Sequence, residues 1–251
     1  MRRSCLVAIG YTFAWLFIAC ATAHGFACIS SNGPVPCPGP TWASHGATLQ
    51  VALGTSSFNQ AALTAANDWS AAGAGFQYAV QFVAPPTSPC SKCGPQNQNY
   101  NPVFFAASVC GLGFGDIVAQ ANICWDQNKN IVNGPVFVNS TVSWGVYDGP
   151  FTPPVNDLHR VLLHEFGHVV GLDHPDGLNP PQSVAAIMNS GESNIDSLQA
   201  DDRAGILSLY PNTAPSGAVS SCRIAPGGAS GTWMLLPPAL LLFLRRRGRN
   251  Y

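Results

Sequence analysis

Residues 164–174 read HEFGHVVGLDH, and this run constrains the chain more than any other. Four residues of helix rise about 6 Å and return to nearly the same face, so His164 and His168 can direct their rings at one point. Gly171 lets the chain leave the helix in a conformation that other residues adopt only at a cost. The turn then brings His174 round towards the same point. Glu165 follows the first histidine and lies beside that point rather than on it. Three imidazoles suit zinc, and three protein ligands leave a fourth position open, which distinguishes a catalytic from a structural site. A carboxylate at Glu165 is the natural general base for a water molecule there. The chemistry implied is metal-assisted peptide hydrolysis with one zinc ion as cofactor.

The flanks extend the pattern. Asn156 or Asp157 is expected to cap the helix. Leu158, Val161, Leu162, Phe166, Val169 and Val170 supply an apolar surface to hold it rigidly, and His159 falls one turn too early to share the ligand face. Ala186-Ile187-Met188 stands fourteen residues after His174. HExxHxxGxxH followed by such a methionine resembles the metzincin clan of zinc metalloproteases. Within that clan the chain is most similar to the matrixins, through HEFGHVVGLDHP, AIMNS and DSLQADDRAGILSLYP (residues 196–211). Ser190 occupies the position where astacins and serralysins carry a tyrosine, which argues against those two families.

The resemblance implies an α+β domain with a mixed, twisted sheet packed on the active-site helix, a Met-turn and a C-terminal helix. It implies His164, His168 and His174 as metal ligands and Glu165 as the catalytic residue. Met188 and Gly171 are implied as structural supports of the site. It covers residues 156–211 closely, and the upstream half is compatible with it. The chain also departs from the animal matrixins. Residues 46–158 contain no histidine, so the second, structural zinc of those proteins is not expected. Asp116, Asp126 and Asp148 are candidate calcium ligands, although single loop aspartates more often serve as turn residues or caps. Pro36-Cys37-Pro38-Gly39 bears a faint likeness to a propeptide cysteine switch, but Cys37 reads better as half of a disulfide.

The two ends read differently from the middle. Arg2 and Arg3, an apolar run from Leu6 to Ala19 and the small residues Ala21-Thr22-Ala23 read as a signal peptide over residues 1–23, with a mature start near His24. Export implies an oxidising compartment and disulfides. Seven cysteines remain after cleavage: Cys28, Cys37, Cys90, Cys93, Cys110, Cys124 and Cys222. Local closure suggests Cys28–Cys37 and Cys110–Cys124. Cys90 and Cys93 are left to pair together or to hold a redox or metal site. Residues 212–232 are Gly/Pro/Ser-rich and read as a linker. Residues 233–251 join an apolar stretch to an arginine cluster and resemble C-terminal sorting tails of the myxobacterial type, with Cys222 as the processing or lipidation residue. The apolar stretch is shorter than a spanning helix needs.

Six of the 11 basic residues lie at these ends, leaving five against 12 acidic residues between them. A middle so acidic offers nucleic acid no basic patch. The folded part is expected to be one domain, residues 24–211, with strands over 48–53, 76–83, 116–123 and 134–139. Helices are expected from a Ser57/Gln60 capping box to Gly73 and over 198–210. Residues 84–102 read as a long loop, and Asp201, Asp202 and Arg203 as a solvated charge cluster. One strand is expected to edge the cleft and pair with extended substrate. The functional expectation is a secreted or surface-anchored zinc endopeptidase. It acts as a monomer on protein or peptide substrates and meets membrane only through the tail. The alternative is a catalytically silent surface adhesin on a metzincin scaffold, against which the intact Glu165 speaks.

Overall fold

The computed structural model describes residues 25–86, 90 and 99–212, all within the first of the two units into which the chain divides, Met1–Thr213. The expected signal peptide, Cys93, the linker beyond residue 212, Cys222 and the C-terminal tail lie outside the described residues. Strands β1 (Ala27–Cys28) and β2 (Val35–Pro36) form a hairpin ahead of the main sheet. Then follow β3 (Gly46–Ala52), α1 (Ser56–Ser70), β4 (Gln77–Phe82) and β5 (Asn101–Ala106). Five short strands come next: β6 (Ala119–Ala121), β7 (Cys124–Trp125), β8 (Ile131–Asn133), β9 (Val136–Asn139) and β10 (Ser143–Gly145). β11 (Val155–Asp157) leads into α2 (Leu158–Val169). β12 (Leu172–Asp173), a 3-10 turn (Pro175–Gly177) and α3 (Ala200–Leu209) complete the domain.

The main sheet has the order β4-β3-β5-β9-β6, parallel except for the antiparallel edge strand β6. Its mixed character, with helices packed on it, agrees with the α+β architecture expected. β3, α1 and β4 form a parallel pair joined by a crossover helix. Thr55 caps α1, its Oγ1 accepting from the Phe58 amide, so the cap stands two residues before the Ser57 expected. Ala61, Ala62, Ala65, Ala66 and Trp69 make the buried stripe of α1, and the small size of the four alanines lets it lie close to α2. The principal core joins this stripe to Leu49, Val51, Val103, Val136 and Val138 of the sheet and to Leu158, Leu162 and Phe166 of α2.

Strand β5 begins at the end of the expected loop 84–102 and runs on to Ala106, where no element is expected. Four of its six residues are buried, because a second small cluster, with Phe104, Val109, Phe114 and Phe137, covers the other sheet face. A strand buried on both faces shows no alternation. Pro102 also argues against a central strand, since it lacks the N–H for the ladder. Asn101 offsets that loss: its amide donates to Gln50 Oε1, its Nδ2 donates to the Thr48 carbonyl, and its Oδ1 accepts from the Gly134 amide.

The disulfides correct part of the expected pairing. Cys28–Cys37 forms as expected, whereas Cys110 joins Cys90 across 20 residues rather than Cys124. Cys90 is therefore not paired with Cys93, and Cys124 is disulfide-bonded as well. Local closure misleads here because β4 and β5 both run parallel to β3, so the chain leaves the two strands at the same end of the sheet. Among the described residues no helix is long and apolar enough to cross a membrane.

Candidate metal centre

Asp157 caps α2, its Oδ1 accepting from the His159 amide. Leu158, Leu162, Leu163, Phe166 and Val169 are fully buried beneath it. Four side chains also grip the helix and its exit through carbonyl oxygens. Trp69 Nε1 donates to Leu163, the Tyr78 hydroxyl to Phe166, Trp42 Nε1 to Val169 and the Tyr210 hydroxyl to Val170, all at 2.7–2.8 Å. Gly171 follows at φ 108°, in the left-handed region, and a Cβ there would stand 2.5 Å from the Pro40 carbonyl oxygen. Both constraints require glycine. β12 then carries the chain to His174.

The three histidines meet. His164 Nε2 lies 3.1 Å from His174 Nε2 and 3.1 Å from His168 Nε2, with the ring centroids 4.8–5.1 Å apart. Among the described residues they are the one group of three or more ligand-type side chains so disposed. Their partners decide what they can hold. His164 Nδ1 stands 2.8 Å from the Ile187 carbonyl oxygen and His168 Nδ1 2.9 Å from that of Leu172. A carbonyl oxygen only accepts, so each Nδ1 carries the proton and each Nε2 presents a lone pair. Two lone pairs at 3.1 Å repel unless a cation lies between them. Tetrahedral zinc ligands about 2.0–2.1 Å from the metal stand roughly 3.3 Å apart, close to the separation found. The donor set therefore fits zinc. Burial pushes the His164 imidazole down to about 4 and holds His168 well below its usual range, so both are in the neutral form that a metal requires.

Glu165 is buried on the adjoining face. Burial pushes its carboxyl up to about 8, opposed by a hydrogen bond from the Ala121 amide. Its Oε2 is buried with no hydrogen-bond partner. A dication at the three nitrogens would favour the ionised form. The histidines and Glu165 line one cleft of about 600 Å³, walled on one side by Val118 and by Ala119, Gln120 and Ala121 of β6.

Met188 is buried beneath α2. A Cβ on Gly167 would overlap its Sδ and stand 2.8 Å from Trp69 Cζ2, so the helix and the methionine meet where the helix has no side chain. Asp202 fixes this segment: its carboxylate accepts from the amides of Ile187, Met188 and Gln199 at 2.8–3.2 Å. Asp201 Oδ1 accepts from the Gly25 amide. Both aspartates are buried, which corrects the expectation of a solvated cluster. Two consecutive carboxylates in a first helical turn look like solvated dipole partners in a sequence, whereas backbone amides take both oxygens of Asp202 and Oδ1 of Asp201. Asp173 Oδ1 accepts from the His174 amide. Among the candidate calcium ligands, Asp126 spends its carboxylate on the Asn128 and Asn130 amides and on Asn130 Nδ2.

One cleft residue was not foreseen. Arg160, buried on α2, donates to the Gly149 and Ser193 carbonyl oxygens and so ties both loops beside the cleft to the helix. Its signal was available: a cation one turn before His164, on the same helical face, within an otherwise apolar stretch.

The matrixin family profile matches residues 52–211. No curated protein matches the chain. Two solved structures of myroilysin are similar at 16% identity. One has a TM-score of 0.39 and covers 68% of this chain and 96% of its own; the other has 0.37, with 70% and 88%. The family match spans more than half of the sequence and takes in every residue of the cleft described above apart from its N-terminal edge. The chain belongs to the matrixin family of metalloproteases.

Proposed function

We propose that the protein is an exported zinc endopeptidase in which His164, His168 and His174 hold one zinc ion and Glu165 is the general base. The observation that carries this reading is the convergence of three histidine Nε2 atoms in the same cleft as an unpaired, buried carboxylate oxygen. Bound zinc would polarise the scissile carbonyl and make a water molecule more acidic. Glu165 Oε2 takes the proton of the attacking water and passes it to the leaving nitrogen. The hydrogen bond from the Ala121 amide to the carboxylate orients the base. The free edge of β6 offers main-chain groups to an extended peptide, which favours substrates by backbone rather than by side chain. Gly171 and Met188 support the site by fixing the helix exit and the floor beneath it.

Digestion of casein by the purified mature domain, with and without a chelator, tests the reading. Cleavage should disappear with the chelator and return with added zinc. Undiminished cleavage in the chelator would break the mechanism, and stoichiometric zinc without any cleavage would favour a binding module instead. Export through residues 1–23 and processing at Cys222 belong to the same proposal. The intact mass of the exported protein tests both, and an unmodified C-terminus at Tyr251 would refute the processing.

A further inference from the structure

His174 differs from its two partners in not riding on an α-helix. It follows a strand of two residues, and such a strand cannot hold its own position. Among the described residues the strand partner of β12 is β1, through Ala27↔Asp173 and Cys28↔Leu172. The Ile29 amide extends this contact by donating to the Gly171 carbonyl. β1 is paired in turn with β2, and the Cys28–Cys37 disulfide closes the hairpin. The tip of the same hairpin meets the chain beyond His174. A Cβ on Gly177 would stand 2.9 Å from Pro34 Cγ and 3.5 Å from His174 Cβ.

From this double contact we infer that the disulfide-closed hairpin of residues 27–37 is a positioning element for His174 and sets the metal affinity of the three-histidine site. The inference rests on the reading of those histidines as metal ligands. A two-stranded hairpin is marginal alone, so the disulfide matters by restricting the freedom of a segment that must be ordered on both sides of the ligand. The hairpin lies outside residues 52–211, the range of the family match. Contacts that orient a ligand rather than bind the metal typically change metal affinity by about 10–100-fold when removed.

The test uses the mature protein and zinc alone. Zinc affinity is measured by competition with a chromophoric chelator, and ligand geometry by the visible spectrum of the cobalt-loaded form. C28S/C37S should weaken zinc binding about tenfold or more and alter the cobalt bands. C90S/C110S, which removes a disulfide away from His174, should leave both unchanged and so separates positioning from general loss of stability. G177A keeps every cysteine but wedges the hairpin away. It should weaken zinc severalfold, and P34A added to it should restore affinity by removing the opposing Cγ. If C28S/C37S does not fold, G177A against G177A/P34A decides alone. Wild-type affinity and cobalt bands in both C28S/C37S and G177A would overturn the positioning role while leaving the protease reading intact. Wild-type protein that binds no zinc would overturn both.

Discussion

His164 and His168 ride on a helix whose carbonyl groups are gripped by four aromatic side chains, whereas His174 stands on two residues of strand and one turn of 3-10 helix. The first pair is secured mainly by apolar burial, with Leu162, Leu163 and Phe166 fully enclosed. The third histidine and the methionine segment are secured by carboxylates: Asp173 on the His174 amide, Asp176 on Ser190, and Asp202 on Ile187 and Met188. Burial is insensitive to small displacements, while hydrogen bonds demand direction. The helix therefore supplies stability, and the loop beneath it supplies the geometry.

The contrast can be broken or sharpened by substitution. The largest effect belongs to the residue that serves neither half structurally. Glu165→Ala should retain zinc and lose about 10²- to 10⁴-fold in kcat, seen by metal analysis beside steady-state hydrolysis. On the helix side, Trp69→Ala removes a fully buried indole and its bond to Leu163, and should cost about 3–5 kcal/mol in denaturant unfolding. On the loop side, Asp202→Ala leaves three backbone donors without an acceptor and should cost roughly 3 kcal/mol. It should also weaken zinc binding, because the Ile187 carbonyl that orients His164 belongs to the released segment. Equal loss of stability with unchanged zinc affinity would show that the loop is not what sets the geometry. The smallest change is expected for Asp176→Ala, whose bonds to Ser190 are exposed; thermal unfolding should register no more than about 1 kcal/mol.

The same division explains what could be read in advance. The i, i+4 histidines, the apolar face of α2 and the glycine exit are local patterns, and they place the helix and its two inward histidines without any knowledge of distant residues. β3 and α1 were legible for the same reason, each to within a few residues at its ends. The unread parts depend on contacts far apart in the chain. β5 is buried on both faces and carries Pro102, so neither alternation nor propensity identifies it, and only Asn101 reaching to Thr48 and Gly134 makes it viable. Cys90 finds Cys110 through the sheet rather than through proximity in sequence. The Ala121 amide that orients Glu165 lies 44 positions upstream of it, on a strand of three residues. Asp201 and Asp202 are ordinary acidic residues of a first helical turn until their backbone donors are known.

The bare backbone of Gly167 carries a consequence for how this domain comes apart. Met188 nests against the helix there, and Asp202 clasps Met188 from α3, so helix, thioether and C-terminal segment behave like three cogs on one shaft. None can be displaced far without turning the next. Loss of the metal and melting of the terminal helix should then be a single cooperative event rather than successive ones.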